Sequence, residues 1–478
     1  MAEVLTPDLC VIGAGAGGFA VASEARAMGA TVVVVERGRA GGGGVQASSV
    51  ASKALVEAAR HAHAIRSAAR FGINPADPTV DFPRLRNHIR SVVAAVAPAS
   101  SLERLTALGA QVIAGEGKFI DERTLGVGET LIRARRFVIA TGSQPTLPAI
   151  EGLETAAFFT SQTIIENARR PTHMVIVGAG ATGAELGQAF RRLGADITLV
   201  ELENPLTDLD PELGDVALRR IADEGVLIRS GTTVPRVAPR EGGGAVVPIA
   251  VDGAEETISA SHLLVAIGRL PNLDLDLERA GIRRSKTDPN RLELSPGLRT
   301  TNRRIYAVGD ATGSRQSVGL TDQQARVVVR GALQGLPLRH HPELVPFVLF
   351  TDPEIATVGM TEDEARRRYK DSYHVVRWPY AGNDRARTRH ETAGLCKLVC
   401  TPTGRILGAG LVGPDAGELI ALFSLAISSR LTLPSLARFA PAYPSLAELA
   451  NRVAAEALAQ RTPPAWASWT AGLRRLLP

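Results

Sequence analysis

The chain has 478 residues, more than a single hydrophobic core supports, and this length favours about three domains. Its composition, 45% hydrophobic and 22% charged, is typical of a soluble globular protein. The net charge of +5 is spread along the chain without a long basic run, which argues against nucleic acid or a membrane surface as the main partner.

The three cysteines are too few for a disulfide framework. Cys10 lies in an apolar strand pattern, which predicts a buried thiol. Cys396 and Cys400 alternate with apolar residues in a predicted strand, where they share a face about 13 Å apart, too far for a disulfide. We predict no metal site, no signal peptide, no membrane-spanning helix and a cytoplasmic location.

The first motif along the chain is a dinucleotide-binding fingerprint. A short apolar run leads into a G-x-G-x-x-G turn, then a helical pattern and a second β-branched run that ends in Glu36. Gly13 permits the tight turn, Gly15 allows a pyrophosphate to approach the backbone, and Gly18 lets the helix pack on the strand. Glu36 is predicted to accept hydrogen bonds from a ribose, and the helix N-terminus favours the phosphates.

A second copy of this fingerprint follows an apolar run at 174–177, which predicts a second nucleotide site. Its glycines are Gly178, Gly180 and Gly183, and its acid is Glu201. A carboxylate at this position repels the 2′-phosphate of NADPH, and the next three residues contain no arginine. The pattern therefore favours NADH over NADPH.

Residues 53–119 have a mainly helical pattern, with short strands predicted at 111–115 and 131–139. An apolar strand then ends in Thr141-Gly142, and another leads into Gly268. A third apolar run ends in Gly309-Asp310.

The order of these motifs resembles the FAD-dependent pyridine nucleotide–disulfide oxidoreductase family, which includes lipoamide dehydrogenase, glutathione reductase and mercuric reductase. The resemblance covers nearly the whole chain and implies an α/β fold, with two doubly wound, Rossmann-like domains and a C-terminal α+β dimerisation domain. It places the FAD-binding domain at 1–150 and 271–340, the NAD-binding domain at 151–270 and the dimerisation domain at 341–478. A homodimer with FAD and NADH as cofactors is expected.

The same resemblance assigns roles to individual residues. Lys53 is expected near flavin N5, with Glu185 as its acidic partner, and Asp310 is expected to contact the ribityl chain. The FAD site would further contain Gly13, Gly15, Gly18, Glu36, Thr141 and Gly142. The NAD site would contain Gly178, Gly180, Gly183, Glu185, Glu201 and Gly268.

The chain departs from the family pattern where disulfide chemistry takes place. Aligned on Ser52-Lys53, the two redox-active cysteines correspond to Gly44 and Ser49. Tyr443 stands in place of the acid–base histidine, whereas its accompanying glutamate is kept as Glu448. Since a tyrosine with a pKa near ~10 is a poor thiol base, the dithiol and its base are lost together.

We therefore predict an NAD(P)H-dependent FAD oxidoreductase whose acceptor is not a disulfide, so dihydrolipoyl dehydrogenase activity is not expected. The acceptor, a small molecule or a protein, stays open between a quinone, oxygen, another nucleotide and a redox protein. Two alternatives stay open as well: a soluble transhydrogenase, and a flavin-binding pseudoenzyme that acts as a sensor or scaffold.

In the C-terminal domain, strands are predicted at 383–386, 394–399 and 404–413, and a helix at 414–429. Residues 462–478 form a basic, tryptophan-containing tail. The tail is expected to pack on its own dimer, with peripheral contact to a membrane or a partner as the alternative.

Overall fold

The structure is a computed structural model that describes residues 3–44, 49–251 and 254–460. The predictions for the tail at 462–478 fall outside these residues. The described chain divides into two compact units. The first runs to Thr207 and resumes at Ile221–Pro342; the second contains Asp208–Arg220 and resumes at Glu343.

The secondary structure mixes helices and strands along the whole described chain. The strands are β1 (Val4–Leu5), β2 (Leu9–Ile12), β3 (Val32–Glu36), β4 (Gln111–Ala114), β5 (Lys118–Phe119), β6 (Leu125–Val127), β7 (Thr130–Ile132), β8 (Arg136–Ile139), β9 (Ser143–Pro145), β10 (Phe159–Thr160), β11 (His173–Val177), β12 (Asp196–Val200), β13 (Leu227–Arg229), β14 (Ala238–Pro239), β15 (Ala245–Val251), β16 (Ala254–Ala260), β17 (His262–Val265), β18 (Arg269–Pro271), β19 (Ile305–Ala307), β20 (Phe347–Leu349), β21 (Glu354–Gly359), β22 (His374–Pro379), β23 (Leu395–Cys400) and β24 (Ile406–Gly413). The helices are α1 (Ala16–Ala27), α2 (Ser49–Arg66), α3 (Phe82–Val96), α4 (Leu102–Ala107), α5 (Ala181–Arg192), α6 (Pro211–Asp223), α7 (Val318–Gln334), α8 (Glu362–Tyr369), α9 (Asp384–Thr388), α10 (Ala416–Ser428), α11 (Leu433–Ala437) and α12 (Glu448–Ala459).

The first unit contains a five-stranded parallel sheet in the order β19-β8-β2-β3-β4. Both faces of its central strand are buried. Leu9 and Val11 pack in one core with residues of α1 and α7, whereas Cys10 and Ile12 pack in a second core on the opposite face. A parallel sheet covered on both faces explains why these strands are continuous apolar runs.

The first unit also contains a second parallel sheet, in the order β10-β17-β11-β12-β13. Helix α5 follows β11 directly and contacts β12. Val175 of β11 packs in one core with Ala245 and Val247 of the antiparallel sheet β14-β15-β16. The two doubly wound sheets confirm the predicted fold class for this part of the chain.

The second unit is built on an antiparallel sheet in the order β20-β21-β24-β23-β22. Helices α10 and α12 share its apolar core, in which Tyr380 and Phe423 are fully buried. This combination of sheet and helices confirms the predicted α+β domain. No helix in the described part of the chain is long and apolar enough to cross a membrane.

One local prediction is wrong. Residues 383–386 are not a strand, because the Asn383 side chain accepts a hydrogen bond from the Ala386 N–H at 3.0 Å and caps α9. The region 53–119 is mainly helical, as predicted, although the helix is interrupted. After α2 a short 3₁₀ turn ends at Gly72 with φ of 76°, and regular helix resumes only at α3.

Candidate active site

The first glycine loop has the tight geometry that its sequence predicts. Gly13 has φ of 105°, and a Cβ there would press on the Ala140 carbonyl. A Cβ on Gly18 would collide with the Gly13 carbonyl oxygen, so α1 can pack this closely on the loop only with glycine at 18. At Gly15 the nearest atom to a Cβ would be the Gly42 Cα at 3.8 Å, so the backbone is open to a ligand there.

Glu36 lies at the end of β3 beside this loop. Its carboxylate accepts hydrogen bonds from the Ala14 N–H at 2.6 Å and from the Gly38 N–H at 2.7 Å. The acid is thus fixed next to the start of α1, where the free N–H groups of a helix attract phosphate.

A polar group that the sequence did not predict surrounds Asp310. Its carboxylate accepts a hydrogen bond from the Ser143 hydroxyl at 2.6 Å, and Ser143 in turn accepts one from Arg269 Nε at 2.8 Å. With its amide oxygen facing the guanidinium, Gln162 accepts from Arg269 at 2.9 and 3.2 Å. Burial lowers the pKa of Arg269, and the charge of Asp310 opposes that shift. The sequence could have indicated this group, because Ser143 directly follows Gly142 and Arg269 directly follows Gly268, two glycines that were predicted to lie at the site.

This group adjoins the glycine run that precedes α2. A Cβ on Gly43 would lie 3.4 Å from the Gln162 amide and 3.7 Å from the Arg269 guanidinium. Among the residues that the structure describes, a Cβ on Gly44 would find only Val318, at 3.9 Å, an ordinary contact. Ser49, the other residue aligned with a cysteine, is the first residue of α2.

Lys53 and Glu185 come together although they are 132 residues apart in the chain. The Lys53 ammonium lies 2.6 Å from a Glu185 carboxylate oxygen. Glu185 is 7% exposed on α5, whereas the Lys53 side chain on α2 is 35% exposed. A buried carboxylate paired with a half-exposed ammonium keeps a charged lysine head at a fixed position.

The second glycine loop repeats the geometry of the first. Gly178 has φ of 104°, a Cβ on Gly183 would collide with the Gly178 carbonyl, and a Cβ on Gly180 would meet no atom of the described residues within 4 Å. Glu201 at the end of β12 accepts a hydrogen bond from the Ala179 N–H at 2.7 Å, as Glu36 does in the first loop.

The connecting strands are held together by backbone and side-chain hydrogen bonds around Asn272. The Thr141 hydroxyl donates to the Asn272 carbonyl at 2.7 Å, and the Asn272 amide donates to the Thr141 carbonyl at 3.0 Å. The Asn272 N–H also donates to the Gly142 carbonyl at 2.9 Å. Gly268 has φ of 114° with open space around it. Thr141, Gly142 and Gly268 thus shape the strand ends next to Asp310.

Tyr443 lies in the second unit, where its hydroxyl donates a hydrogen bond to Asp384 at 3.1 Å. This bond raises the pKa of the Tyr443 phenol, so the group stays protonated at neutral pH. The charge of Glu448, predicted as a companion of Tyr443, adds to the rise in this pKa, and Glu448 also has Arg452 at 3.9 Å. Asp384 is therefore a partner that the sequence did not reveal. The sequence gives little indication of this contact, because Asp384 and Tyr443 are 59 residues apart in the chain.

The three thiols all lie in apolar cores. Cys10, Cys396 and Cys400 are buried, as predicted, in β2 and β23. Burial raises the pKa of Cys10 and Cys396 well above the ordinary thiol value. None of the three matches the reactive thiolates of disulfide chemistry, which need an electropositive and partly exposed setting. The described residues also contain no group of three or more His, Cys, Asp or Glu side chains that could hold a metal ion.

The residues around the first loop fit a bound FAD. The Gln324 side chain is 0% exposed, and its oxygen accepts from the Gly309 N–H at 2.7 Å. Its nitrogen has no hydrogen-bond partner in the described part of the chain, and a buried donor in this state favours a polar group bound nearby. Two glycine loops, each with an acid and each on its own parallel sheet, define a protein that binds two dinucleotides.

Comparisons with known proteins identify the family to which this dinucleotide-binding chain belongs. Residues 7–332 match the family model described as pyridine nucleotide-disulphide oxidoreductase, and residues 345–454 match its dimerisation domain. Mercuric reductase from Lysinibacillus sphaericus is 34% identical over 92% of this chain and 81% of its own. Dihydrolipoyl dehydrogenase from Haloferax volcanii is 33% identical over 95% of this chain and 96% of its own.

Solved structures agree with these matches. The crystal structure of LpdA from Mycobacterium tuberculosis covers 95% of this chain and 99% of its own, with a TM-score of 0.84 and 27% identity. A Cu(II) complex of the HOCl-induced flavoprotein disulfide reductase RclA from Escherichia coli covers 94% and 99%, with a TM-score of 0.82 and 27% identity. The chain belongs to the pyridine nucleotide-disulphide oxidoreductase family. It is accordingly an FAD-dependent NAD(P)H oxidoreductase, and its dimerisation domain supports a homodimer.

Proposed function

We propose that this oxidoreductase passes electrons from NADH through FAD to an acceptor that is not a disulfide. One observation carries the proposal: the chain keeps the Lys53–Glu185 ion pair, whereas Gly44 and Ser49 at the aligned cysteine positions have no thiol. When bound, FAD supplies the hydride and electron transfer.

The protein's own part in this reaction is to bind, orient and stabilise charge. Glu185 holds the Lys53 ammonium at 2.6 Å, where it would stabilise negative charge that develops on the reduced cofactor. The Arg269 guanidinium, held by Ser143 and Gln162, is a second fixed cation beside the glycine run at 41–44. Thiol chemistry has no candidate, since the cysteines present lie in apolar cores.

NADH is the proposed donor because Glu201 closes β12 with a carboxylate. In this position it would accept hydrogen bonds from the ribose diol and repel a 2′-phosphate. The next residues, Leu202, Glu203 and Asn204, offer no cation to a phosphate. We assign the NAD-binding role to 151–270 and the FAD-binding role to 1–150 and 271–340.

The acceptor would approach from the side on which Gly44 replaces a bulkier residue. A Cβ there would make a single ordinary contact, at 3.9 Å, with the described residues, which supports room for a flat or small molecule. Tyr443, at the position of the family's histidine, has a protonated phenol that is a poor base for a thiol. A cytoplasmic location belongs to the same proposal, because three buried cysteines that form no disulfide suit a reducing compartment.

An anaerobic titration of the purified FAD-loaded dimer tests the proposal. NADH is expected to bleach the flavin band at one equivalent, without a thiolate–flavin charge-transfer band, and NADPH is expected to act more slowly. Quinones, oxygen, a second nicotinamide nucleotide and redox proteins are then compared by the rate at which they reoxidise the flavin.

Two results would overturn the proposal. Flavin that stays oxidised in the presence of NADH would make the protein a sensor or scaffold. NADH-dependent reduction of lipoamide well above a no-enzyme control would restore a disulfide acceptor. Selective reoxidation by a second nucleotide would instead narrow the function to transhydrogenation.

A further inference from the structure

The two helices that carry the Lys53–Glu185 ion pair are connected a second time. Lys53 lies on α2 and Glu185 on α5, and these helices contact each other within the first unit. At the far end of α2, Arg66 donates a hydrogen bond from Nη1 to the carbonyl of Arg192, the last residue of α5. Helix α2 is therefore bound to α5 by polar contacts at two separate points.

The buried side chains that the two helices offer for packing are mostly small. The buried residues of α2 are mainly alanines, and those of α5 include several glycines and alanines. Ridges of such residues are low, so packing alone restricts sliding and rotation less than interlocked large side chains would. The polar contacts therefore contribute to the position of α2 on α5.

The end of α5 that Arg66 contacts is itself firmly held. The Arg192 guanidinium donates to both carboxylate oxygens of Glu224, at 2.7 and 2.6 Å, and the two side chains are 5% and 7% exposed. Arg191 also donates from Nε to the Glu224 carbonyl at 2.8 Å. A two-point contact between a guanidinium and a carboxylate fixes their geometry. Arg66 thus connects α2 to a well-fixed part of the first unit.

The position of Arg66 also suits its charge. Arg66 is the last residue of α2, and the carbonyl that it contacts belongs to the last residue of α5. The C-terminal end of a helix attracts cations, because its last carbonyls have no partner within the helix and carry partial negative charge. One guanidinium therefore serves the ends of both helices. Its Nε contacts Asp77 at 2.7 Å as well, but the Asp77 side chain is 87% exposed and this pair is weak.

The two polar contacts lie far enough apart to fix an orientation. At 1.5 Å per residue, they are about 20 Å apart along α2 and about 10 Å apart along α5. A helix held at one point can pivot about it, whereas two separated points hold its axis. Without the Arg66 contact, α2 would be free to pivot about the Lys53–Glu185 pair, and the ammonium would sample more positions relative to the rest of the site.

We propose that Arg66 is a positioning residue for Lys53, because it holds α2 in the orientation that directs the Lys53 ammonium. This inference rests on the proposed role of Lys53 in stabilising charge on the reduced cofactor. A misplacement of about 1 Å in an active site can slow the chemical step by about 100-fold. Since Glu185 continues to hold the ammonium, loss of Arg66 slows flavin reduction by less than this, and nucleotide affinity does not change.

The test is stopped-flow reduction of the flavin by NADH in the FAD-loaded dimer. Arg66→Met is expected to lower the limiting rate about three- to tenfold, within the range of coupling between residues of one network, without changing the half-saturating NADH concentration. In a Lys53→Met background, Arg66→Met should slow reduction no further, because the group that Arg66 positions is already absent. Arg66→Gln, whose side chain is shorter, should behave in the same way and takes the place of Arg66→Met if that variant does not fold.

Two control variants separate positioning from loss of stability. Asp77→Asn removes the exposed ion pair of Arg66 but keeps its contact with α5, so the flavin should be reduced at the wild-type rate. Arg169→Met removes another guanidinium that donates to backbone carbonyls, those of Gly242 at 3.2 Å and Ser261 at 2.8 Å. This variant should lower the Tm without slowing flavin reduction.

A wild-type limiting rate in Arg66→Met, or further slowing by Arg66→Met in the Lys53→Met background, would overturn the inference and leave the proposed function intact. An equal loss of rate in Arg169→Met would also overturn it, since general instability would then suffice. Wild-type flavin that NADH does not reduce, or a wild-type rate in Lys53→Met, would instead overturn the proposed function on which the inference rests.

Discussion

Replacement of Lys53 by methionine is the most direct test of the ion pair in the first unit. The substitution keeps the length and apolar stem of the side chain but leaves Glu185, 7% exposed, without its cation at 2.6 Å. Breaking a buried pair costs about 3–5 kcal/mol, and the lower end applies because the Lys53 side chain is 35% exposed and partly screened. The variant should therefore fold with a clearly lowered Tm.

The kinetic effect should exceed what this loss of stability explains. Removal of one fixed group that stabilises developing charge typically slows the chemical step by about 10²–10³. We expect a loss of this size in stopped-flow reduction of the flavin by NADH, with FAD content unchanged. Lys118→Met is the matched control, since Lys118 also contacts a carboxylate, at 2.7 Å, but its partner Asp274 is 83% exposed. Flavin reduction at the wild-type rate in folded Lys53→Met would refute the assigned role.

Three further results are expected. Gly18→Ala should lose bound FAD and lower the Tm, since its Cβ would collide with the Gly13 carbonyl; FAD content and Tm of the purified protein check this. Gly44→Cys with Ser49→Cys should fold, because the Cβ space at Gly44 is open, and on reduction by NADH the absorbance spectrum should gain a thiolate–flavin charge-transfer band. The stability of the protein should fall in acid. Hydrogen bonding from Lys397 holds the pKa of Glu362 below its ordinary 4.5, against the opposing effect of burial. The stability that the Glu362 carboxylate contributes above pH 4.5 is therefore lost as the pH falls through the lowered pKa. Glu362→Gln should flatten this acid limb in a Tm-versus-pH series.

The fold was largely predictable because its signals are local. A glycine loop, a helix and an acid at the next strand end follow one another within a few dozen residues, and both copies predict their parallel strands from continuous apolar runs. The assignment of 383–386 to a strand failed because one asparagine side chain decides the conformation there. Asn383 caps a helix of five residues, too short to produce a periodic pattern.

The candidate site was less predictable because its contacts are non-local. The Lys53–Glu185 pair was inferred only through a family resemblance, since nothing in the sequence alone connects residues 132 positions apart. The contacts of Asp310 through Ser143 to Arg269 depend on how the ends of β9 and β18 meet, which no single motif determines. The hydrogen bond from Lys397 to Asp210 was not predicted for the same reason, because the two residues are 187 positions apart in the chain.

The residues that are kept and those that are replaced fall on different sides of the reaction. In the proposed function, cofactor binding and the entry of electrons from the nicotinamide depend on both glycine loops, Glu201 and the Lys53–Glu185 pair. Gly44 and Tyr443, in contrast, stand where the family pattern has a redox-active cysteine and the histidine that exchanges protons with the thiol. A protein that no longer transferred hydride would gain nothing from a buried carboxylate that holds an ammonium at 2.6 Å, because such a carboxylate is costly unless it is paired. From the costly pair and from the alignment of Gly44 and Ser49 with the family's cysteines, we therefore propose a working reductive half-reaction with a different exit for the electrons, rather than a scaffold that only binds FAD.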